Sequence, residues 1–186
     1  MRGSLLVIFA LESLLKFLES QGRRWVTRVR RLHRASARTL TPIEKNAVSP
    51  FFDPTLLETV RITSVAGIEN PDFYSFLLQQ SVAIPLDFTQ MSAITFVDTI
   101  LVSELHPVQP GAEIALLFHE LVHVVQYSEL GVDEFVRRYI RGWASNGFEY
   151  VKIPLERSAY ELQSRFSSGG PAFSVVAEVR RHLKAA

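Results

Sequence analysis

Apolar residues are spaced in the C-terminal half of the chain as they are in helices. The run from Ala112 to Tyr127 is apolar nearly all round, which predicts a buried helix. Gly131 follows that run, where a left-handed helix end is common. Further helices are predicted at about residues 133–143, from Pro154 onward, and at about 174–184.

The residues before the buried helix have the pattern of strands and short helices. Val60 to Val65 and the longer stretch Ala93 to Ser103 are β-branched and predict strands. Short helices are predicted after an N-cap residue and a proline at Thr41-Pro42-Ile43-Glu44 and Asp53-Pro54, and at Phe73 to Gln79. Strands followed by helices predict an α+β fold.

Composition narrows the class of protein. A chain of 186 residues with 47% hydrophobic residues suits one domain with a sizeable core. A net charge of +1 gives no general attraction to nucleic acid, so no nucleic-acid partner is expected. No run reaches the roughly 18 apolar residues of a membrane span, and no clear signal peptide is present. These features favour a cytoplasmic location.

The N-terminal residues 1–38 have a large net positive charge. They contain nine Lys and Arg residues against two Glu residues, a balance of +7. The pattern predicts an amphipathic helix that ends near Gly22, followed by a basic helix containing Trp25 and Leu32. Such a helix could lie on an anionic membrane or bind an acidic partner. Alternatively, its basic face is solvated and Trp25 and Leu32 pack on a domain formed by residues 39–186.

The buried helix contains the sequence His119-Glu120-Leu121-Val122-His123. Residues four apart share one face of a helix, so both imidazoles can reach one metal ion. Glu120 follows the first histidine and can reach a water held beside that ion. This H-E-x-x-H arrangement is typical of zinc peptidases. The alternative is a pair of core histidines hydrogen-bonded to Glu120.

A catalytic zinc ion usually has a third protein ligand. The chain contains no Cys, and Gln126 and Glu129 stand where the extended motif H-E-x-x-H-x-x-G-x-x-H requires Gly and His. A carboxylate from a later helix could complete the site instead. Glu156, 33 residues after His123, is one candidate. Spacing alone also allows Glu149, Glu161, or a Glu156 that serves only as a first-turn glutamate.

Three segments resemble small bacterial zincin-like domains, some of which are encoded beside extracellular contractile injection systems. The segment His119 to Gln126, H-E-L-V-H-V-V-Q, resembles their active-site helix. Glu156-Arg157-Ser158-Ala159 is similar to the E-x-x-A helix that supplies the glutamate ligand in gluzincins. Ala93 to Ile100 resembles the strand before the active-site helix. The resemblance covers about residues 40–166 and implies that His119, His123 and Glu156 bind Zn²⁺ in a minimal zincin-like fold: a small sheet, the active-site helix and the ligand helix.

The resemblance also suggests how a substrate would be held. The strand before the motif helix would pair with an extended peptide through Thr95, Phe96, Val97 and Asp98. Many relatives have Asp where this chain has Tyr160, so the residue that orients a zinc-bound histidine is open. Tyr160 and Tyr150 are candidate oxyanion stabilisers, with Tyr127 and His106 as further candidates.

Peptide-bond hydrolysis is therefore the leading functional hypothesis. Glu120 would activate a zinc-held water that attacks a peptide carbonyl of a peptide or protein substrate. The alternative is a non-catalytic zincin-fold module that contacts a membrane or acidic partner through residues 1–38. A third hypothesis is a latent peptidase whose N-terminal helices cover the cleft. The sequence indicates neither the cleavage preference nor the oligomeric state.

Overall fold

A small sheet and a set of helices form an α+β fold, as predicted. A computed structural model describes residues 2–79 and 86–185, with side chains from residue 11 onward. Within those residues the helices are α1 Arg2–Arg34, α2 Pro42–Val48, α3 Pro54–Thr59, α4 Tyr74–Gln79, α5 Glu113–Ser145, α6 Pro154–Ser167 and α7 Val175–Ala185. Single 3₁₀ turns occupy Phe88–Gln90 and Tyr150–Lys152. Among the described residues, no helix has both the length and the hydropathy needed to cross a bilayer.

The sheet contains β1 Arg61–Val65, β2 Ala93–Phe96 and β3 Thr99–Ser103 in the order β1-β3-β2. β1 is parallel to β3, and β2 is antiparallel to it. The prediction of one strand from Ala93 to Ser103 is wrong, because the chain reverses at Val97 and Asp98. Val97 adopts a left-handed φ of 65°, which is unusual for a β-branched residue. The turn therefore could not be recognised in the sequence, because it contains neither the Gly nor the Asn that usually marks such a turn.

The N-terminal region is one continuous helix, and the predicted helix end near Gly22 is wrong. A Cβ atom at Gly22 would lie 3.1 Å from Cγ1 of Val136 on α5. Gly22 therefore allows α1 and α5 to approach closely instead of ending α1. Trp25 is buried in this contact, whereas Leu32 is 62% exposed and does not pack on the fold.

Helix α5 holds the motif in the first of two segments that Gly131 separates. Gly131 has φ 70° and ψ 170°, which confirms a break after the motif helix. The first segment is apolar nearly all round because it packs against the sheet, α6 and α7. The second segment packs against α1. The motif thus lies inside the fold, and α6 packs alongside the helix that carries it.

Candidate metal centre

The two motif histidines and Glu156 meet inside the protein. His119, His123 and Glu156 are 5%, 6% and 3% exposed. The two Nε2 atoms lie 3.1 Å apart, and Oε2 of Glu156 lies 3.3 Å from that of His119 and 3.5 Å from that of His123. We call these residues the triad. It is the single group of three or more His, Cys, Asp or Glu side chains with metal-ligand geometry in the described part of the chain.

The spacing of the three converging atoms fits the tetrahedral coordination of a metal ion. Metal–ligand bonds of about 2.0–2.1 Å place neighbouring ligand atoms about 3.3 Å apart in a tetrahedron. The buried Oε2 atom of Glu156 makes no hydrogen bond, which is costly for a carboxylate oxygen. A bound cation would balance this oxygen and the two facing imidazole nitrogens. The triad could therefore hold a metal ion.

Two glutamines orient the histidines. Nδ1 of His123 lies 2.8 Å from Oε1 of Gln126, and Nδ1 of His119 lies 3.1 Å from Oε1 of Gln163. An amide oxygen can only accept, so each Nδ1 carries a proton, and the two Nε2 atoms that face Glu156 are the positions where a metal ion could replace a proton. Neither glutamine was predicted to do this, although Gln126 belongs to the motif segment. Gln163 is seven residues beyond Glu156 on the same face of α6, and this spacing could have indicated it.

Tyr139 fixes the third side chain of the triad. Its hydroxyl donates to Oε1 of Glu156 at 2.8 Å, so Oε2 is the oxygen left for a metal. Sequence reasoning missed Tyr139 because this residue lies on the second segment of α5. Its contact with Glu156 on α6 depends on the direction that this segment takes after the break at Gly131. Burial and the charge of Glu156 raise the pKa of Tyr139 well above its ordinary value, so this phenol remains a donor.

Glu120 lies beside the triad and is held by the sheet. Its side chain is 4% exposed, and its Oε2 atom accepts a 2.7 Å hydrogen bond from Oγ1 of Thr95 on β2. Thr95 was predicted to belong to a substrate-pairing strand, and its side chain has this additional contact. Strand β2 and the motif helix thus meet at the carboxylate of Glu120.

The charges of the triad support one another. Burial alone would lower the pKa of His123, but the nearby charge of Glu156 outweighs burial and raises it to about 9. Burial alone would raise the pKa of Glu156, but the two histidines hold it far below its usual value. Glu156 is therefore an anion at neutral pH, and the site attracts a positive charge, whether a proton or a metal ion.

The other carboxylates considered as ligands lie elsewhere. Glu149 pairs with Lys152 at 2.7 Å. Glu161 faces α7, where His182 lies 3.6 Å away. Neither belongs to the triad.

The candidate oxyanion stabilisers differ in position. The Tyr160 ring centroid is 4.5 Å from that of His119, and the side chain is 45% exposed. Tyr150 lines a cavity together with Glu156, and burial and the charge of Glu156 raise its pKa far above the ordinary value. Tyr127 is buried against the ring of Phe135. His106 lies in the loop before α5 and is not part of the triad.

The predicted substrate-pairing residues are only partly in a strand. Thr95 and Phe96 belong to β2, an edge strand that pairs with no strand other than β3 within the described residues. Val97 and Asp98 form the turn to β3 and cannot extend that strand. Asp98 instead accepts two 2.7 Å hydrogen bonds from Arg30 of α1.

Fold and site together define an α+β protein with a buried cluster of two histidines and one glutamate. Comparisons with protein-family models, with curated proteins and with solved structures found no match. The functional argument therefore depends on the geometry of the cluster.

Proposed function

We propose that this protein is a zinc-dependent peptidase. The observation that carries the proposal is the convergence of His119, His123 and Glu156, with a separate buried carboxylate, Glu120, next to the first of them. A purely structural metal site has no need of this second acid, because structural zinc is normally enclosed by four protein ligands. Three ligands leave one position for water or substrate.

The donor set favours zinc among the common metals. Two imidazole nitrogens and one carboxylate oxygen match the ligands of catalytic zinc. Bound there, zinc would supply Lewis acidity that lowers the pKa of water and polarises a carbonyl. Gln126 and Gln163 would keep both histidines in the tautomer that such an ion needs, and Tyr139 would hold Glu156 in place.

Glu120 would act as the general base and then as the general acid. It would accept a proton from the attacking water and deliver it to the leaving amine of the peptide. The hydroxyl of Thr95 would hold the carboxylate in the orientation required for both transfers. Tyr150 or Tyr160 would donate a hydrogen bond to the oxyanion. Thr95 and Phe96, on the edge strand, would pair with the backbone of an extended substrate.

Metal content and hydrolysis test this proposal together. The purified wild-type chain should contain about one zinc per molecule and cleave members of a peptide library. Glu120→Gln should keep the zinc and lose cleavage, whereas His123→Ala should lose both. Glu161→Gln, a half-exposed glutamate of α6 outside the triad, is the matched control and should keep both. A fully folded wild-type protein that does not bind zinc would contradict the proposal.

One observation favours a second function, in which residues 1–38 contact an anionic membrane or an acidic partner. Three residues are exposed on the outer side of α1: Arg24, Arg31 and Leu32. Neither arginine forms an ion pair within the described residues. Co-sedimentation with anionic vesicles tests this proposal. Binding that salt weakens and that Arg24→Gln with Arg31→Gln removes would support it, and the absence of binding would contradict it.

A further inference from the structure

An apolar cavity of about 130 Å³ opens beside the triad. Its walls come from α1, α4, β2, the second segment of α5 and the residues around Phe88. Glu120, His123 and Glu156 are among its lining residues, so the cavity is continuous with the candidate metal centre. Most of the remaining lining is aromatic or aliphatic, including Leu18, Trp25, Phe88 and Ile140.

The size of the cavity matches one large side chain. An engineered apolar cavity of about 150 Å³ is known to stay dry and to bind benzene. A space of about 130 Å³ is thus suited to an aromatic ring or a leucine-sized group, but not to a folded peptide segment. Apart from Glu120, His123 and Glu156, no lining residue of the cavity is charged, so a charged side chain would find no ionic partner in the rest of it.

We propose that this cavity binds one Phe-like or Leu-like side chain of the substrate, next to the peptide bond that is cut. This inference depends on the proposed peptidase function, because it names the substrate class of the same site. Burial of such a side chain supplies binding energy through the hydrophobic effect. The backbone of the same substrate residue would then lie near Thr95 on β2, beside Glu120.

Helix α1 is a wall of the pocket in this proposal. Trp25 packs against Phe88 and Phe96 with ring centroids 4.9 Å away in each case, so its position in the cavity is fixed from two sides. Gly22 brings α1 against Val136 and Ile140, two cavity residues of α5. The N-terminal helix would therefore contribute to substrate selection directly.

Ile140 is suited to test the proposal because it lines the cavity but does not contact the triad. Ile140→Phe should fill the cavity, and Ile140→Ala should enlarge it. Ile62→Ala is the matched control, because Ile62 is a core isoleucine of β1 that lies outside the cavity. The full-length chain is used throughout, with benzene as the binding probe and a peptide library as the substrate.

Benzene should raise the Tm of the wild-type chain and of Ile62→Ala, because a ligand that binds only the folded state stabilises it. Ile140→Phe should lose this rise. In the library, the wild-type protein should prefer Phe or Leu at one position beside the cleaved bond. Ile140→Phe should shift the ratio of kcat/KM values toward Ala or Val by at least about tenfold, the usual effect of one methylene or more in a pocket. Ile140→Ala should shift it toward Trp.

The outcomes separate this inference from the function on which it depends. Cleavage with no size preference, or a preference that neither Ile140 variant changes, would overturn the pocket and leave the peptidase proposal intact. An equal benzene effect in the wild type and in Ile140→Phe would also overturn the pocket. Benzene binding that Ile140→Phe removes, with no cleavage by the zinc-loaded wild type, would support the cavity as an apolar site and contradict the peptidase proposal.

Discussion

The hydroxyl of Thr95 donates a 2.7 Å hydrogen bond to Oε2 of Glu120, joining the edge strand β2 to the helix that carries both histidines. Both side chains are buried, at 5% and 4% exposure. A buried carboxylate has several staggered rotamers, and one donor fixed on a strand selects among them. The sheet thus determines the direction in which the candidate base points.

Thr95→Val should reduce kcat without removing the metal. Valine keeps the shape of threonine, but it lacks the donor, so Glu120 would lose its orientation. We expect kcat to fall by about 10–100-fold, the range for loss of a residue that positions another, with KM little changed and zinc content unaltered. Thr95→Ser should restore most of the activity because it restores the hydroxyl. An unchanged kcat in Thr95→Val would show that Glu120 does not need this contact.

Gln126→Leu should weaken metal binding. Gln126 is fully buried, accepts from His123 and donates to the carbonyl oxygen of Leu155 and to Oγ of Ser158. Its loss would free the His123 ring and cut a link between α5 and α6. We expect zinc affinity to fall by about 10–100-fold, as measured by competition with a chelator. Ser158→Ala removes one partner of Gln126 without affecting His123, and its zinc affinity should equal that of the wild type.

Tyr139→Phe should also weaken metal binding, through the carboxylate. The variant removes the donor to Oε1 of Glu156 and leaves a buried carboxylate oxygen without a partner. Zinc affinity should fall by about tenfold or more. Tyr127→Phe is the control, since the Tyr127 ring stacks on Phe135 with centroids 3.6 Å apart and its hydroxyl makes no hydrogen bond to the triad. Equal zinc affinities in the two variants would contradict the role of Tyr139.

The difference between predicted and missed site residues has a physical cause. The grouping of His119, His123 and Glu156 was predicted, because helical spacing brings the histidines together and the resemblance identified the glutamate. Tyr139 was not predicted, because its contact with Glu156 depends on how two helix segments are oriented in space. Sequence periodicity reports which face of one element is buried, but not which side chain of another element meets it.

The prediction of the fold was limited in the same way, because local signals were read correctly and contacts between distant elements were not. The helices predicted to start at Thr41-Pro42 and Asp53-Pro54 and the one predicted at about residues 174–184 are present, because N-cap residues, prolines and apolar spacing are local signals. The turn at Val97 and the close approach at Gly22 were missed. Each depends on a tertiary contact: Arg30 and Arg34 of α1 bind Asp98 in the turn, and Val136 packs against Gly22.

Asp98→Asn should lower stability in a pH-dependent way. Burial alone would raise the pKa of Asp98, but its hydrogen bonds and ion pairs with Arg30 and Arg34 outweigh burial and hold it below the usual value. A depressed folded-state pKa stabilises the protein above the unfolded-state pKa of about 3.9. This stabilisation is lost as the pH falls through the lower, folded-state value.

The free energy of unfolding of the variant should therefore be about 1–2 kcal/mol lower than that of the wild type at pH 6 to 7, after allowance for the partial exposure of Arg30. The difference should shrink below about pH 4. Urea unfolding at several pH values measures it. Glu58→Gln removes an exposed partner of Lys45 and should change stability by at most about 1 kcal/mol. A loss of stability in Asp98→Asn that does not change with pH would contradict the ionic origin.

Gly142→Ala should disturb the metal centre from a distance, because Gly142 of α5 lies against Pro154 at the start of α6. A Cβ atom there would lie 2.7 Å from Cδ of Pro154, and the rigid proline ring cannot turn away. Alanine in a helix normally stabilises by about 0.5–1 kcal/mol relative to glycine. Here the first turn of α6, which carries Glu156, would have to move. We expect a net loss of about 1–3 kcal/mol in unfolding free energy and weaker zinc binding.

Gly67→Ala is the control, since its Cβ would meet only side-chain atoms of Leu105 at 3.8 Å or more. If Gly142→Ala bound zinc as tightly as Gly67→Ala does, the position of α6 would not depend on this contact.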